Sequence, residues 1–288
     1  MTEQERQQVE EIIASLKPSA LKYETGRAEK NGMSLFHWIV EKEQKKSAAK
    51  DKLNTLESQL AFKTQIKNVN SANPSQEQLN SLFEYYQTGR YRDAEKLAIS
   101  ITQQFPPHQF GWKVLGAVLK QTGRITDSLT PMQKSVQLAP QDAEAHNNLG
   151  DTFRELGRLD EAEASCRQAI ALKPDFAEAH YNLGNTLREL GRFDEAEASY
   201  KQVIALKPDF AEAHSNLGNT LKELGRLDEA EASFKQAIAL KPDFALAHYG
   251  LSKVLYSMTY KDAALESIKR ANVIDPKSKD ISLLLSVL

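Results

Sequence analysis

Three consecutive 34-residue stretches, residues 143–176, 177–210 and 211–244, are almost copies of one another. The second and third agree at 29 of 34 positions, and both contain NLGNTL and end in LKPDF. A fixed period of this length predicts a solenoid, in which each copy is one supersecondary unit stacked on its neighbours. Function is then expected on the surface that stacking creates, because stacked copies do not by themselves form a catalytic pocket.

The same period continues beyond these three copies in both directions. When Ala143 is position 1, glycine recurs at positions 8 and 15, small residues recur at 20 and 27, and proline recurs at 32. This frame gives six units, which are residues 75–108, 109–142, 143–176, 177–210, 211–244 and 245–278. The last unit has Ser252 and Thr259 in place of the two glycines, and the first has Leu82 in place of one. The end units are therefore degraded, as expected where terminal units face solvent.

Each unit predicts two antiparallel helices, helix A over positions 1–14 and helix B over positions 18–31. Gly157 and its copies can adopt the left-handed conformation that ends helix A. Asp160 and its copies are expected to accept hydrogen bonds from the free amides at the start of helix B. Pro174 and its copies end helix B, because proline cannot continue a helix.

The pattern W-x2-L-G-x2-Y, followed by A-x3-F and P, is typical of tetratricopeptide repeats. The segment WKVLGAVL, followed by Ser128, Met132 and Pro140, resembles it. The resemblance covers residues 75–278 and implies an all-α fold, a right-handed superhelical solenoid of antiparallel helix pairs whose helices A line the concave side. The phrase LKPDFAEAHxNLGNTLKELGRLDEAEA is also similar to the repeats of O-linked N-acetylglucosamine transferase.

Three segments lie outside the repeats. Residues 1–32 are predicted to form an N-terminal helical segment, and residues 279–288 a C-terminal capping helix or a partial repeat. Residues 33–70 predict a long amphipathic helix, whose apolar residues recur at helical spacing over too few heptads to establish a coiled coil. This helix could pack on the first repeat as a cap, dimerise as a coiled coil, or fold back into the groove.

The composition limits the classes of partner. The formal net charge is −2, which does not favour nucleic acid or an acidic membrane. The single cysteine, Cys166, cannot form an internal disulfide. The N-terminus lacks the pattern of a secretory signal, and no run of apolar residues is long enough to span a bilayer. We therefore expect a cytoplasmic protein without a membrane partner.

No pattern in the chain predicts catalysis. Histidine recurs at position 4 of four units, but these histidines lie one repeat apart and lack the local pairing of a usual metal site. Cys166 occupies position 24, which Tyr200 and Phe234 hold in the next units, and so predicts a packed thiol. Ser-His-Asp order, a phosphate loop and a CxxC pair are all absent. We expect no catalytic residue, metal or cofactor, and hence no enzyme.

The exposed face of helix A is what remains for function. Asparagines occupy positions 6 and 9 of this face, at Asn148, Asn182, Asn216, Asn185 and Asn219. An amide side chain offers a donor and an acceptor, so a row of them can pair with the backbone of an extended peptide. The row resembles the asparagine ladder of O-linked N-acetylglucosamine transferase, although the same asparagines could instead bond only neighbouring helices. Aromatic and basic candidates flank them, at Tyr181, Tyr249, Arg154, Arg188 and Lys222.

These features favour a protein-interaction scaffold that binds an extended peptide or a helix in the concave groove. The two-carboxylate clamp known in this family is disfavoured, because Ala117, Glu178 and Asn182 do not match its pattern. Two alternatives stay open. The chain could be the targeting or substrate-recognition arm of a larger glycosyltransferase- or sulfotransferase-type enzyme, or it could form homo-oligomers through the N-terminal helix or the apolar C-terminal end, residues 281–288.

Overall fold

The computed structural model describes residues 3–42 and 73–287. These residues contain helices and no strand, and they divide into two compact units, Met1–Ala72 and Asn73–Leu288. The prediction of an all-α helical solenoid is confirmed, and it applies to the second unit.

The first unit contains three helices in its described part, α1 (Glu3–Ser15), α2 (Pro18–Lys30) and α3, which covers residues 35–42. Pro18 is the first residue of α2, where its missing N–H costs nothing. The mostly buried carboxylate of Glu24 accepts a hydrogen bond from Nε1 of Trp38 at 2.8 Å and pairs with Lys42, whose hydrogen bond lowers the Glu24 pKa. Residues 43–70 of the predicted long helix lie outside the described residues.

The second unit contains six helix pairs and a final helix. In chain order these are α4 (Gln76–Gln87), α5 (Tyr91–Gln104), α6 (Gln109–Gln121), α7 (Ile125–Leu138), α8 (Ala143–Glu155), α9 (Leu159–Leu172), α10 (Ala177–Glu189), α11 (Phe193–Leu206), α12 (Ala211–Glu223), α13 (Leu227–Leu240), α14 (Ala245–Ser257), α15 (Lys261–Ile274) and α16 (Lys279–Val287). In each pair the even-numbered helix is helix A and the odd-numbered one is helix B.

Each helix A ends in a left-handed turn. Gly157, which follows α8, has a φ of 72°. The N–H of Arg158 donates to the carbonyl of Phe153 at 2.9 Å, and the N–H of Gly157 donates to the carbonyl of Arg154 at 2.9 Å. This pair of hydrogen bonds is the Schellman motif. Thr259 adopts the same conformation in the last pair, with a φ of 71°.

The predicted cap of helix B by Asp160 is wrong. The N-cap of α9 is Arg158, which makes no side-chain cap hydrogen bond, and Asp160 lies inside the first turn of the helix. The compact Schellman turn places Arg158 directly before the helix, so the aspartate comes too late to reach the free amides. Arg158 instead pairs with Glu161, with Nε donating to Oε2 at 2.7 Å. Asp160 retains only the favourable interaction of a carboxylate with the positive helix end.

The two helices of a pair pack through complementary side-chain sizes at positions 8 and 24. A Cβ added to Gly184 would lie 2.8 Å from Cε1 of Tyr200, so only glycine fits opposite that ring. In the first pair the sizes are reversed, because Leu82 faces Ala98, and both are fully buried. Paired changes thus maintain the close packing of the core.

Consecutive helices A contact one another, whereas consecutive helices B in the described repeats make no comparable contacts. Helices A therefore lie on the inner side of the stack. We define the inner face as positions 2, 5, 6, 9, 12 and 13 of the helices A. Among the described residues, no helix is both long and apolar enough to cross a membrane.

Candidate functional site

The asparagines of the inner face are half-buried or buried, and some of them bond neighbouring helices. Asn182 on α10 donates from Nδ2 to Oδ1 of Asn147 on α8, at 2.9 Å. One of the two N–H donors of Asn182 is therefore already used inside the protein. The described residues supply no hydrogen bond to its Oδ1, so this oxygen remains an available acceptor.

A denser network joins α10, α11 and α12. Nδ2 of Asn216 donates to the hydroxyl of Tyr181 at 3.0 Å and to Oδ1 of Asn185 at 2.9 Å. The hydroxyl of Tyr200 donates to the same Oδ1 at 2.8 Å. Burial raises the pKa of both tyrosines, so they stay neutral near neutral pH. The network joins the three helices near the centre of the inner face and leaves Oδ1 of Asn216 without a partner among the described residues.

The remaining two asparagines differ from these. Nδ2 of Asn219 donates to the backbone carbonyl of Ser215 at 3.2 Å. Asn148 is half-buried, and its side chain makes no hydrogen bond within the described residues. Asn148 is thus the asparagine of this row whose whole amide group is unused among the described residues.

The row ends at α14 for a steric reason. Position 6 of this helix is Gly250, and a Cβ added there would lie 2.3 Å from Cε1 of Phe234. The phenyl ring occupies the space that an asparagine would need. The half-buried ring of Tyr249 lies beside this point, with Nζ of Lys253 5.4 Å from its centroid.

Basic residues at position 12 form ion pairs that link successive helices A. Lys120 pairs with Asp151 and, at 3.1 Å, with Glu155 of the next unit. Arg154 pairs with Asp151 at 2.8 Å and with Glu189 of the next unit at 2.9 Å. Arg154, which the sequence predicted as a groove residue, is thus already neutralised by carboxylates of the protein itself.

Arg188 occupies the same position on α10 but forms no ion pair with any described residue. Lys120 uses positions 9 and 13 of the next unit, and Arg154 uses position 9 of its own unit and position 13 of the next. For Arg188, position 9 is uncharged in both units, as Asn185 and Asn219, and the position 13 residue Glu223 pairs with Lys222 at 2.6 Å. The hydrogen bond from Lys222 is the main cause of the lowered Glu223 pKa. The Nε of Arg188, like that of Arg154, is buried and has no hydrogen-bond partner in the described part of the chain. The Arg188 guanidinium also interacts with the hydroxyl of Tyr200, which lowers the pKa of that hydroxyl against the larger raising effect of burial.

The position 4 histidines have a structural role that the sequence did not reveal. Trp112 at this position donates from Nε1 to the carbonyl of Pro106 at 2.8 Å. The histidines bond the equivalent proline carbonyls through Nε2, at 3.0 Å for His146, 2.8 Å for His180, 2.9 Å for His214 and 3.0 Å for His248. Because an indole N–H can only donate, the histidines in the same place donate as well. Across residues 3–42 and 73–287, no group of three or more His, Cys, Asp or Glu could hold a metal ion.

The thiol of Cys166 is fully buried in the core. Its Sγ would lie 2.7 Å from a Cβ added to Gly150 on the facing helix. Burial raises the pKa of this thiol to about 12. A thiol that is neutral and enclosed in this way is neither a nucleophile nor a metal ligand.

Sequence reasoning missed the hydrogen bond between Asn147 and Asn182 and the role of the buried Tyr200 hydroxyl on helix B. The hydroxyl of Tyr200 was the available signal, because it lies at a position where other units have apolar side chains. A buried tyrosine hydroxyl requires a partner, and Asn185 supplies it.

Comparison with family models identifies the repeats. Residues 150–187 and 184–225 match a model described as TPR repeat, and residues 132–164 and 211–244 match two models described as Tetratricopeptide repeat. No curated protein matches the sequence.

Several solved structures share the fold. PilW, a widely conserved type IV pilus biogenesis factor, has a TM-score of 0.67 at 23% identity, over 74% of this chain and 100% of that chain. A chain of the APC/C hetero-tetramer Cut9-Hcn1 has a TM-score of 0.65 at 18% identity, over 73% of this chain and 42% of that chain. YrrB, a TPR protein with an unusual peptide-binding site, has a TM-score of 0.53 at 20% identity, over 66% and 98%. At these identities the likeness shows the fold alone, and this chain spans less than half of the Cut9-Hcn1 chain that it matches.

Proposed function

Because the chain is a tetratricopeptide-repeat protein, with the fold of a protein-interaction scaffold, we propose that it binds an extended peptide or a partner helix along the inner face. The observation that carries this proposal is the unused hydrogen-bonding capacity of α8, α10 and α12. Asn148 keeps its whole amide, and Asn182 and Asn216 keep their Oδ1 acceptors. The peptide-binding site of YrrB offers a precedent within the same fold.

The contacts within the protein define what each asparagine offers to a ligand. The Nδ2 donors of Asn182 and Asn216 hold helices together, so their oxygens are the groups that can accept N–H bonds from a peptide backbone. Asn148 can also donate to a peptide carbonyl. Binding therefore relies on a row of acceptors, with N–H donors on Asn148 and on the second hydrogen of Asn182 that are free among the described residues, and it requires little rearrangement of the protein.

A selection experiment tests the proposal. A library of random peptides displayed on phage is selected on the immobilised full chain, and the affinity of a recovered peptide is measured by fluorescence polarisation. Replacing Asn148 by alanine removes one or two neutral hydrogen bonds, so we expect a loss of affinity of roughly three- to tenfold. The melting temperature should not change, because the side chain makes no hydrogen bond to the described protein.

The matched control is Gln168→Ala, on the exposed surface of helix B in the same unit. We expect this variant to bind the recovered peptide like the wild type. If Gln168→Ala weakens binding and Asn148→Ala does not, the ligand lies on the outer surface and the proposal is wrong.

A second candidate function is self-association through α16. Leu283 and Val287 on this helix are each 67% exposed, which is unusual for aliphatic side chains on a single helix. Light scattering over a range of concentrations compares the full chain with a Leu283→Gln, Val287→Gln variant. A single monomeric species for both proteins would remove this candidate. A targeting arm of a larger enzyme would use the same inner face, so the peptide experiment applies to it equally.

A further inference from the structure

Arg188 differs from the other basic residues of position 12 in its electrostatic surroundings. Lys120 and Arg154 neutralise acidic residues of the next unit, and Lys222 pairs with its neighbour Glu223. Arg188 has no such partner among the described residues, although its side chain is only half-exposed. A guanidinium that has lost part of its hydration without gaining a carboxylate is poorly compensated.

The acidic side chains of the surrounding inner face cannot readily supply this carboxylate, because each already has a cationic partner. These pairs are Glu178 with Lys207, Glu189 with Arg154, Glu212 with Lys241 and Glu223 with Lys222. The uncompensated charge at the centre of the inner face is therefore positive. Potentials at binding surfaces are complementary to those of their ligands, so a negative group is expected to occupy this place.

We propose that Arg188 binds the carboxylate of a glutamate or aspartate side chain of the extended peptide. This assignment rests on the proposed function and specifies the chemistry that the groove selects. A planar guanidinium matches a carboxylate in geometry as well as in charge. The hydrogen-bonded network of Asn185, Tyr200 and Asn216 belongs to the same part of the inner face and fixes the surroundings of the ligand.

The carboxylate is assigned to a side chain rather than to the C-terminus of a peptide. The inner face continues on both sides of Arg188, which lies on α10. Asn148 lies on the preceding helix A, α8, and Asn219 lies on the following one, α12. A peptide that follows this row passes Arg188 and does not end there. An internal acidic residue then meets the guanidinium while the backbone contacts the asparagines.

The test uses the isotope-labelled full chain and defined peptides. The probe is a short peptide with blocked ends and one central glutamate, compared with the same peptide carrying glutamine. Nuclear magnetic resonance follows the backbone amides and the Nε–H signals of the arginines, and Arg188→Lys assigns the Nε–H signal of Arg188. We expect the glutamate peptide to shift this signal and to bind roughly tenfold more tightly than the glutamine peptide.

Variants establish the source of that preference. In Arg188→Gln the preference for glutamate should fall below roughly twofold, with an unchanged spectrum of the folded backbone. In Arg167→Gln, which removes an arginine from helix B, the preference should persist.

Each contrary outcome has a distinct meaning. Equal binding of the two peptides, with amide shifts on α8, α10 and α12, would overturn the role of Arg188 and leave the peptide groove in place. A preference that persists in Arg188→Gln would also overturn it. If only a peptide with a free C-terminal carboxylate shifts the Arg188 signal, the assignment to a side chain is wrong. No amide shift on the inner face with any peptide would overturn both the assignment and the proposed groove.

Discussion

Thr259 offers a direct test of the backbone conformation that the repeats impose. It follows α14 and has a φ of 71°, in the place where the other five repeats have glycine. The turn keeps both hydrogen bonds of the Schellman motif, from Thr259 N–H to Tyr256 and from Tyr260 N–H to Leu255, at 3.0 and 2.9 Å. A β-branched residue in this region is strained, and the exposed side chain makes no described hydrogen bond that would compensate.

We therefore expect Thr259→Gly to stabilise the protein. The left-handed conformation costs an L-residue about 1–2 kcal/mol, whereas glycine increases the entropy of the unfolded chain by about 0.4–1 kcal/mol. The difference leaves a net gain on the order of 1 kcal/mol. Thr259→Asn should lie between the two, because asparagine tolerates this conformation better than threonine.

The reverse substitution is the control. Gly225 has a φ of 75° in the preceding repeat, and a Cβ there would meet nothing within 4 Å. Gly225→Thr thus introduces the backbone strain without a steric clash, and it should destabilise by the same net amount, on the order of 1 kcal/mol. Urea unfolding followed by circular dichroism measures the global change.

Amide hydrogen exchange of α14 and α15 measures the local change, since end repeats can open separately. If Gly225→Thr destabilises while Thr259→Gly slows no exchange in α14 and α15, Thr259 is not strained in solution and the argument fails.

Three further predictions concern the remaining repeats. The triple replacement of Asn148, Asn182 and Asn216 by alanine should lower the free energy of unfolding by about 1–3 kcal/mol, measured by urea unfolding. The reason is that two of the three asparagines donate hydrogen bonds between helices. An unchanged stability would contradict these bonds. Burial raises the pKa of the Cys166 thiol to about 12. This thiol should therefore not react with a thiol-specific dye in the native protein at mildly alkaline pH, and it should react once urea is added. Rapid labelling of the native protein would refute its burial. Pro131 lies inside α7, at a position where the next four repeats have serine. Replacing it by serine should stabilise by about 1–2 kcal/mol, which is the ~3 kcal/mol cost of an interior proline less the lost burial of the ring. A lower urea midpoint would contradict this.

The sequence predicted the helix pairs because their determinants are local. Gly157 and Pro174 act on the backbone around themselves, so a fixed period is enough to place the turns. The cap assigned to Asp160 failed because it depended on the exact position of the preceding turn, which differs by one residue from the sequence-based boundary. Local patterns place helices well and place their terminal hydrogen bonds poorly.

The site was harder to predict because its contacts join different repeats. Asn182 donates a hydrogen bond to Asn147, which lies one repeat earlier. The sequence of a single unit does not show that contact. The interruption at Gly250 could be seen in the sequence, but its cause could not. The cause is the size of Phe234 on the preceding helix B. Identical positions therefore acquire different properties from the side chains of the adjacent unit.

Position 12 shows what this means for function. Arg154 and Arg188 lie in nearly identical sequences and on equivalent helices, yet one is neutralised by Glu189 and the other forms no ion pair with a described residue. The difference comes from the unit that follows each arginine and from position 9 of its own unit, where Asp151 pairs with Arg154 and the Arg188 unit has Asn185. Glu189 is available to Arg154, because Arg188 in its own unit does not pair with it. Glu223 is not available to Arg188 in the same way, because it pairs with Lys222. A repeat protein built from near copies can thus leave one copy of a charged residue unpaired without changing that residue, since substitutions around it, in its own unit and in the next, determine which copy remains available to a ligand.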